Sequence, residues 1–339
     1  IAETLYLFVL TQFRTENRCA LFLELLWLPA SGGKAEMQNA PASRRVSRFL
    51  RRPVVRRRWS GKFLDLGDHR IHYFEQGKGR PILFVHGLGG QSHHFRGTLF
   101  AELGQDYRLV ALDRPGSGYS ARPSGFTGRL TEQAELLRGF IDALGLEKPL
   151  VVGHSLGGAV ALTLALQHPQ AISGLALLAP LTHLEDEVRP EFRSLYVRSP
   201  LLRSTLAQTL WVPTSLRYAA QTLAFVFGPQ APTKDYGIAG GGLAGLRPSH
   251  VYATSSDLVA IEHDLGAVEA RYEEIAMPVG VLFGTADRVL DYRLNGEPLV
   301  GRIGNLDLEL VEGLGHMPQF IEPRRVADFI RRIAGRAFA

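Results

Sequence analysis

Short apolar runs at 81–86, 107–113, 150–152, 172–179, 279–283 and 306–311 constrain this chain most, because they alternate with stretches of helical periodicity. A short apolar run ended by a turn sequence suits a strand buried on both faces. The helical stretches differ in kind. Residues 131–144 place Leu136, Leu137, Phe140, Ile141 and Leu144 at helical spacing behind Thr131 as N-cap. Residues 156–168 are rich in Ala and Leu, and 323–333 are amphipathic with Pro323 in the first turn. Residues 62–66 and 70–75 flank Gly67-Asp68-His69 as a strand–turn–strand pair. The expected fold class is therefore α/β, a mainly parallel central sheet with helices on both faces.

The alternation stops between 180 and 278. Helical patterns at 191–196, 200–210, 215–227 and 256–275 occupy that interval without a further strand, so a helical cap is expected between two strands. The resulting organisation is an N-terminal extension at 1–58, core at 59–180, cap at 181–277 and core again at 278–339. With 45% hydrophobic and 21% charged residues, disorder along most of the chain is excluded. One cysteine, Cys19, excludes an intramolecular disulfide framework and a multi-cysteine zinc site. No stretch reaches the roughly 18 uncharged apolar residues of a spanning helix, so a polytopic membrane protein is not expected.

The net charge of +5 is concentrated: 43–59 holds eight arginines, and removing them leaves −3 for the rest. Nucleic-acid binding is therefore not expected. The segment reads as a solvated basic arm, and its sharper reading is peripheral contact with an anionic membrane face, with Phe49, Leu50, Val54, Val55 and Trp59 interleaved. Residues 1–36 are expected to be poorly ordered and read as a translated upstream stretch, with the natural start at Met37. Arg18, the apolar 20–28 and Pro29-Ala30-Ser31 only weakly imitate a secretory signal. A cytoplasmic location is expected, with membrane association or export through the N-terminal segment as alternatives. Either a monomer or a homodimer fits.

The chemistry begins at Gly153-His154-Ser155-Leu156-Gly157-Gly158, between an apolar run and a helix. A sharp strand-to-helix turn of this kind exposes a serine Oγ at the sheet edge, and glycines on either side let the chain cross itself closely. A serine hydroxyl needs a base held by a third group. His316 and Asp287 each follow a predicted strand, in the order Ser155…Asp287…His316, and ligands bind outside the carboxyl ends of such strands. Leu156 N–H and Leu88 N–H, the latter in His86-Gly87-Leu88-Gly89-Gly90, are the expected oxyanion donors. His86 reads as a brace of that loop; with Trp211 and Phe225 it is also a candidate substrate contact. Gly240-x-Gly242-x-x-Gly245 follows no strand and opens no helix, and His93-His94 has no ligand partners at metal-binding spacing. No cofactor and no metal are expected.

Taken together, His86-Gly87-Leu88-Gly89, Asp113-Arg114-Pro115-Gly116-Ser117-Gly118, Gly153-His154-Ser155-Leu156-Gly157-Gly158, Gly284-x-x-Asp287 and Gly315-His316 resemble the α/β-hydrolase superfamily. The resemblance is to its capped serine esterases and lipases and runs from about Lys62 to Ile333, weakest across the cap. It implies a structural turn at Asp113-Arg114. It also implies a serine hydrolase of carboxylic esters acting through an acyl-enzyme on a small-molecule ester. The apolar cap residues favour a medium-chain acyl or aromatic substrate. Similar haloalkane dehalogenases and epoxide hydrolases use Asp at the elbow, and Ser155 argues against both. A carbon–carbon bond hydrolase, lactonase or acyltransferase on the same triad remains open, as does a receptor-like binding role.

Overall fold

A computed structural model describes residues 61–339 apart from 105, 186, 187, 235 and 238. The expectations for the 1–58 extension and its arginine-rich arm fall outside the described residues. Eight strands form one sheet: β1 (Lys62–Leu66), β2 (His69–Gln76), β3 (Arg80–Val85), β4 (Tyr107–Leu112), β5 (Leu150–His154), β6 (Gly174–Leu178), β7 (Val279–Gly284) and β8 (Leu306–Val311). Their spatial order is β1-β2-β4-β3-β5-β6-β7-β8. The β1–β2 and β2–β4 pairs are antiparallel. All other pairs are parallel, as the apolar runs require.

Strand alternation divides the core into two layers. Leu83, Val85, Val110, Leu112 and Val151 face one side, where helices α3 (Leu130–Ala143) and α4 (Leu156–Gln167) pack. Ile82, Phe84, Leu109, Ala111 and Val152 face the other. That second layer is closed by α1 (His93–Arg96), α2 (Leu99–Leu103) and the C-terminal α10 (Pro323–Ala337), which buries Val326, Phe329, Ile330 and Ile333. Pro323 occupies the first helical turn. Two further short helices, α8 (Tyr292–Asn295) and α9 (Pro318–Ile321), lie in the loops around β8.

Between β6 and β7 the described residues form α5 (Pro200–Thr209), α6 (Trp211–Val226), α7 (Pro248–Glu269) and short 3-10 turns, with no strand. Both α6 and α7 begin earlier than the pattern suggests. Pro213 and Pro248 look like breakers in sequence but sit in first turns, where the missing N–H costs nothing. Thr131 is not an N-cap: α3 starts at Leu130, and Thr131 N and Oγ1 both donate to Asp264 Oδ2 of α7, at 3.1 and 3.0 Å.

A buried ionic cluster ties α7 to the loop after β4. Asp257 accepts from Arg114 at 2.6 Å and from Arg122 at 2.9 Å, with both the Arg114 and Asp257 side chains 2% exposed. Removing one partner of a buried pair leaves uncompensated charge, at a cost of about 3–5 kcal/mol. Asp257→Ala is accordingly expected to lower unfolding free energy by about that amount in urea titration. A loss below about 1 kcal/mol would show that solvent already screens the cluster.

Candidate active site

β5 ends at His154 and α4 begins at Leu156, so Ser155 alone makes the turn, at φ +52° and ψ −122°. Such a conformation costs a non-glycine residue about 1–3 kcal/mol and must be held by its surroundings. The holding bonds are on the backbone: Ser155 N–H donates to Leu178 O at 3.0 Å, while Ser155 O accepts from Gly158 N and Leu181 N at 2.8 and 3.0 Å. The flanking glycines are there for space. A Cβ on Gly157 would fall 2.2 Å from Val85 O, and one on Gly153 would fall 2.6 Å from Gly157 O.

His316 follows β8 and Asp287 follows β7, and the two meet. His316 Nδ1–H donates to Asp287 Oδ2 at 2.7 Å, with the carboxylate fully buried. The second carboxylate oxygen accepts from Val289 N and Leu290 N at 2.7 and 3.0 Å. An acceptor-only carboxylate on Nδ1 fixes the imidazole tautomer and leaves Nε2 as the basic nitrogen. Ser155 and His316 line the same cavity.

After β3, Gly90 N–H donates to Gly87 O at 3.1 Å, closing a turn over Leu88 and Gly89, with Gly89 at φ +62°. Gly87 O also accepts from Arg114 Nη2 and His86 Nδ1, both at 2.9 Å. In a trans peptide the C=O and following N–H point oppositely, so these bonds turn Leu88 N–H away from Arg114. The loop lies against the serine: a Cβ on Gly87 would sit 2.9 Å from Ser155 Cβ. Leu156, as the first residue of α4, has an N–H without an intrahelical acceptor, and both leucines line the cavity.

Three sequence-derived substrate contacts are corrected. His86 is fully buried and uses both nitrogens internally, donating from Nδ1 to Gly87 O and accepting Arg114 N–H at Nε2, 2.9 Å. It braces the loop and does not reach the cavity. Trp211 packs with Ala207 and Val251, and Phe225 packs edge-on against Phe192 at 6.0 Å; neither lines the cavity, whereas Phe192 does. Helical periodicity identifies apolar residues but not which side of a helix hairpin faces inward.

Sequence reasoning missed His154, the residue just before the elbow serine. Its Nε2–H donates to His316 O at 2.9 Å, and the two rings lie 5.0 Å apart. Its position at the carboxyl end of a buried strand, beside the elbow serine, is the signal that could have found it. His94 and Tyr236 were also missed as cavity residues. They line it together, with Tyr236 O–H 3.4 Å from His94 Nε2. Burial pushes the Tyr236 hydroxyl up to about 12 and His94 down to about 3. The cavity measures about 540 Å³, with Leu181, Phe192, Leu223, Val226 and Leu258 among its apolar walls. Among the described residues, no cluster of His, Cys, Asp or Glu could hold a metal ion.

A family model described as the alpha/beta hydrolase fold matches residues 80–323. The chain belongs to that family. Haloalkane dehalogenase 2 of Mycobacterium tuberculosis is 35% identical over 119 residues, covering 35% of this chain and 41% of that protein. The 2-hydroxy-6-oxo-6-phenylhexa-2,4-dienoate hydrolase of Comamonas testosteroni is 36% identical over 121 residues, covering 34% of this chain and 42% of that protein. The chain thus spans about two fifths of the length of these curated relatives. Among solved structures, a putative lipase from Acinetobacter baumannii has a TM-score of 0.66 at 22% identity, covering 83% of this chain and 96% of that one. A membrane phospholipase A, a bacterial virulence factor, has a TM-score of 0.62 at 25% identity, covering 95% of this chain and 99% of that one. The family is one of hydrolases, and no helix among the described residues is long and apolar enough to cross a membrane.

Burial lowers His86, His94, His154 and His250, in each case as the largest cause. All four are neutral when folded and take up protons when unfolded below their ordinary value of about 6.5. The stability each contributes is therefore full above about pH 6.5 and is lost as pH falls below it, for His94 down to about pH 3. Urea midpoints should fall steeply between about pH 6.5 and pH 5; a flat profile would show that these rings are already charged or solvated.

Proposed function

We propose that the protein is a serine hydrolase of carboxylic esters. The observation that carries this reading is the strained Ser155 sharing a cavity wall with a His316 whose tautomer is fixed by a buried Asp287. Ser155 Oγ attacks the ester carbonyl as His316 Nε2 takes its proton. Asp287 stabilises the imidazolium, and Leu88 and Leu156 N–H receive the oxyanion. His316 returns the proton to the departing alcohol, and water then releases the acid by the same route. His154 positions His316 by holding its backbone carbonyl. The helical segment at 181–277 serves as a cap whose inner face forms the apolar acyl pocket.

Similarity to a putative lipase and to a membrane phospholipase A supports an ester substrate with an acyl chain. The largely apolar cavity favours the same class. Carbon–carbon bond hydrolysis is the second reading, favoured by the Comamonas relative. Dehalogenation is disfavoured, since such enzymes carry Asp where this chain has Ser155.

Initial rates on p-nitrophenyl esters from acetyl to palmitoyl, beside Ser155→Ala, test the proposal. The variant should keep its thermal midpoint and lose about 10⁴- to 10⁶-fold in kcat. Ester turnover surviving the substitution would remove the nucleophile assignment. A fluorophosphonate adduct on Ser155 without ester turnover would favour the carbon–carbon reading.

A further inference from the structure

The outer surface of the α5–α6 hairpin has a composition that ordinary solvent-facing helices lack. Residues 192–234 contain five cations and no carboxylate. Every exposed residue of α5 is uncharged, and Arg217 is the one charge among the exposed residues of α6. Large apolar side chains stand in solvent there: Leu201 is 79% exposed, Leu202 51%, Leu210 55% and Tyr218 53%. Arg203 belongs to the interior, where it donates to Val197 O and Ser255 Oγ. The cations at the surface are Arg193, Arg198, Arg217 and Lys234, with Arg198 bonded to Glu262 at the cavity rim.

This face runs into the cavity. Tyr218, Thr222 and Val226 are four residues apart on α6 and so share one helix face. Tyr218 is exposed, Thr222 is exposed yet lines the cavity, and Val226 is half-buried in the cavity wall.

We propose that the α5–α6 hairpin is a docking face for an anionic phospholipid surface, delivering acyl chains from the bilayer past Thr222 to the cavity. An apolar face on which Arg217 is the one exposed charge of α5 and α6 matches the interfacial region of such a membrane. A second copy fits less well. In a two-fold contact the patch meets itself, and neither α5 nor α6 exposes a carboxylate that could pair with Arg217 of the other copy. As an account of substrate delivery the proposal rests on the ester-hydrolase reading; as an account of membrane binding it does not.

The test is co-sedimentation of the full chain, carrying Ser155→Ala to preserve the lipid, with vesicles of phosphatidylglycerol and phosphatidylcholine or of phosphatidylcholine alone. Binding is expected to the anionic vesicles and to weaken with salt. Leu201→Asp with Leu202→Asp should reduce the partition coefficient about tenfold or more. Arg217→Glu should reduce it several-fold on anionic vesicles only. None of these residues lines the cavity, so with Ser155 restored, turnover of a short soluble ester should stay within about twofold of the parent, with an unchanged thermal midpoint. The milder Leu201→Ser, Leu210→Ser pair should move partition in the same direction and guards against misfolding. Variants that bind vesicles as the parent does would overturn the proposal and assign membrane contact to the arginine-rich 43–59 segment. A lipid-free dimer dissolved by Leu201→Asp would overturn it in favour of self-association. Intact vesicle binding with no Ser155-dependent turnover of any ester would sink the hydrolase reading and leave the docking face standing.

Discussion

The guanidinium of Arg114 is the group around which the rest of the site is organised. It is buried beneath the loop after β3 and spends its donors on His86 O, Gly87 O, Gln133 Oε1 and Asp257 Oδ2. Two of those acceptors are loop carbonyls, and fixing them sets the direction of the Leu88 peptide. The third belongs to α3 and the fourth to α7. A single planar cation thereby joins the loop beside Ser155, a helix covering the sheet and a helix of the β6–β7 segment. Arginine suits this place because its donors are rigidly arranged and it stays charged when buried. The same α7 supplies Thr254, Leu258, Ile261 and Leu265 to the cavity wall, so wall and loop share one anchor.

Electrostatics inside the site is governed by exclusion of water more than by formal charge. His86, His94 and His154 are each buried, and burial holds each ring neutral. His86 accepts Arg114 N–H at Nε2, which an imidazolium cannot do. His154 donates from Nε2 to His316 O, while its Nδ1 is buried without a partner beside Gly87. Asp113 is the opposite case. Although burial opposes its charge, His72 and the Ser92 N–H hold the carboxylate well below its ordinary range. Tyr119 N–H adds a further bond to it. The Asp113-Arg114 turn is thus a structural joint, in keeping with what the resemblance implied for it.

Much of this was legible in the sequence where a pattern reports a local physical demand. Strands buried on both faces must be apolar, so β3, β4, β5 and β7 announce themselves within about two residues of their ends. Gly153 and Gly157 are required by backbone crossings that leave no room for a Cβ, and the run Gly153-x-Ser155-x-Gly157 states that directly. What stayed hidden depends on three-dimensional facing. Trp211, Phe225 and Phe192 are alike in pattern, yet only the last turns toward the cavity. Thr131 looks like a cap because its partner, Asp264, lies 133 residues away. Pro213 and Pro248 mislead because a proline at a first turn and a proline that ends a helix read the same without the backbone.

The geometry at position 155 fixes a backbone rather than a side chain. The positive φ, the crossings at Gly153 and Gly157 and the bonds to Leu178, Gly158 and Leu181 would be the same for any small nucleophilic residue there. The side chain presented at the elbow can therefore vary while the surrounding backbone stands still. Proteins similar to this chain are named as a dehalogenase, a carbon–carbon hydrolase and a phospholipase, so the fold hosts more than one reaction. The fold keeps the cost of strain constant whatever side chain stands at the elbow.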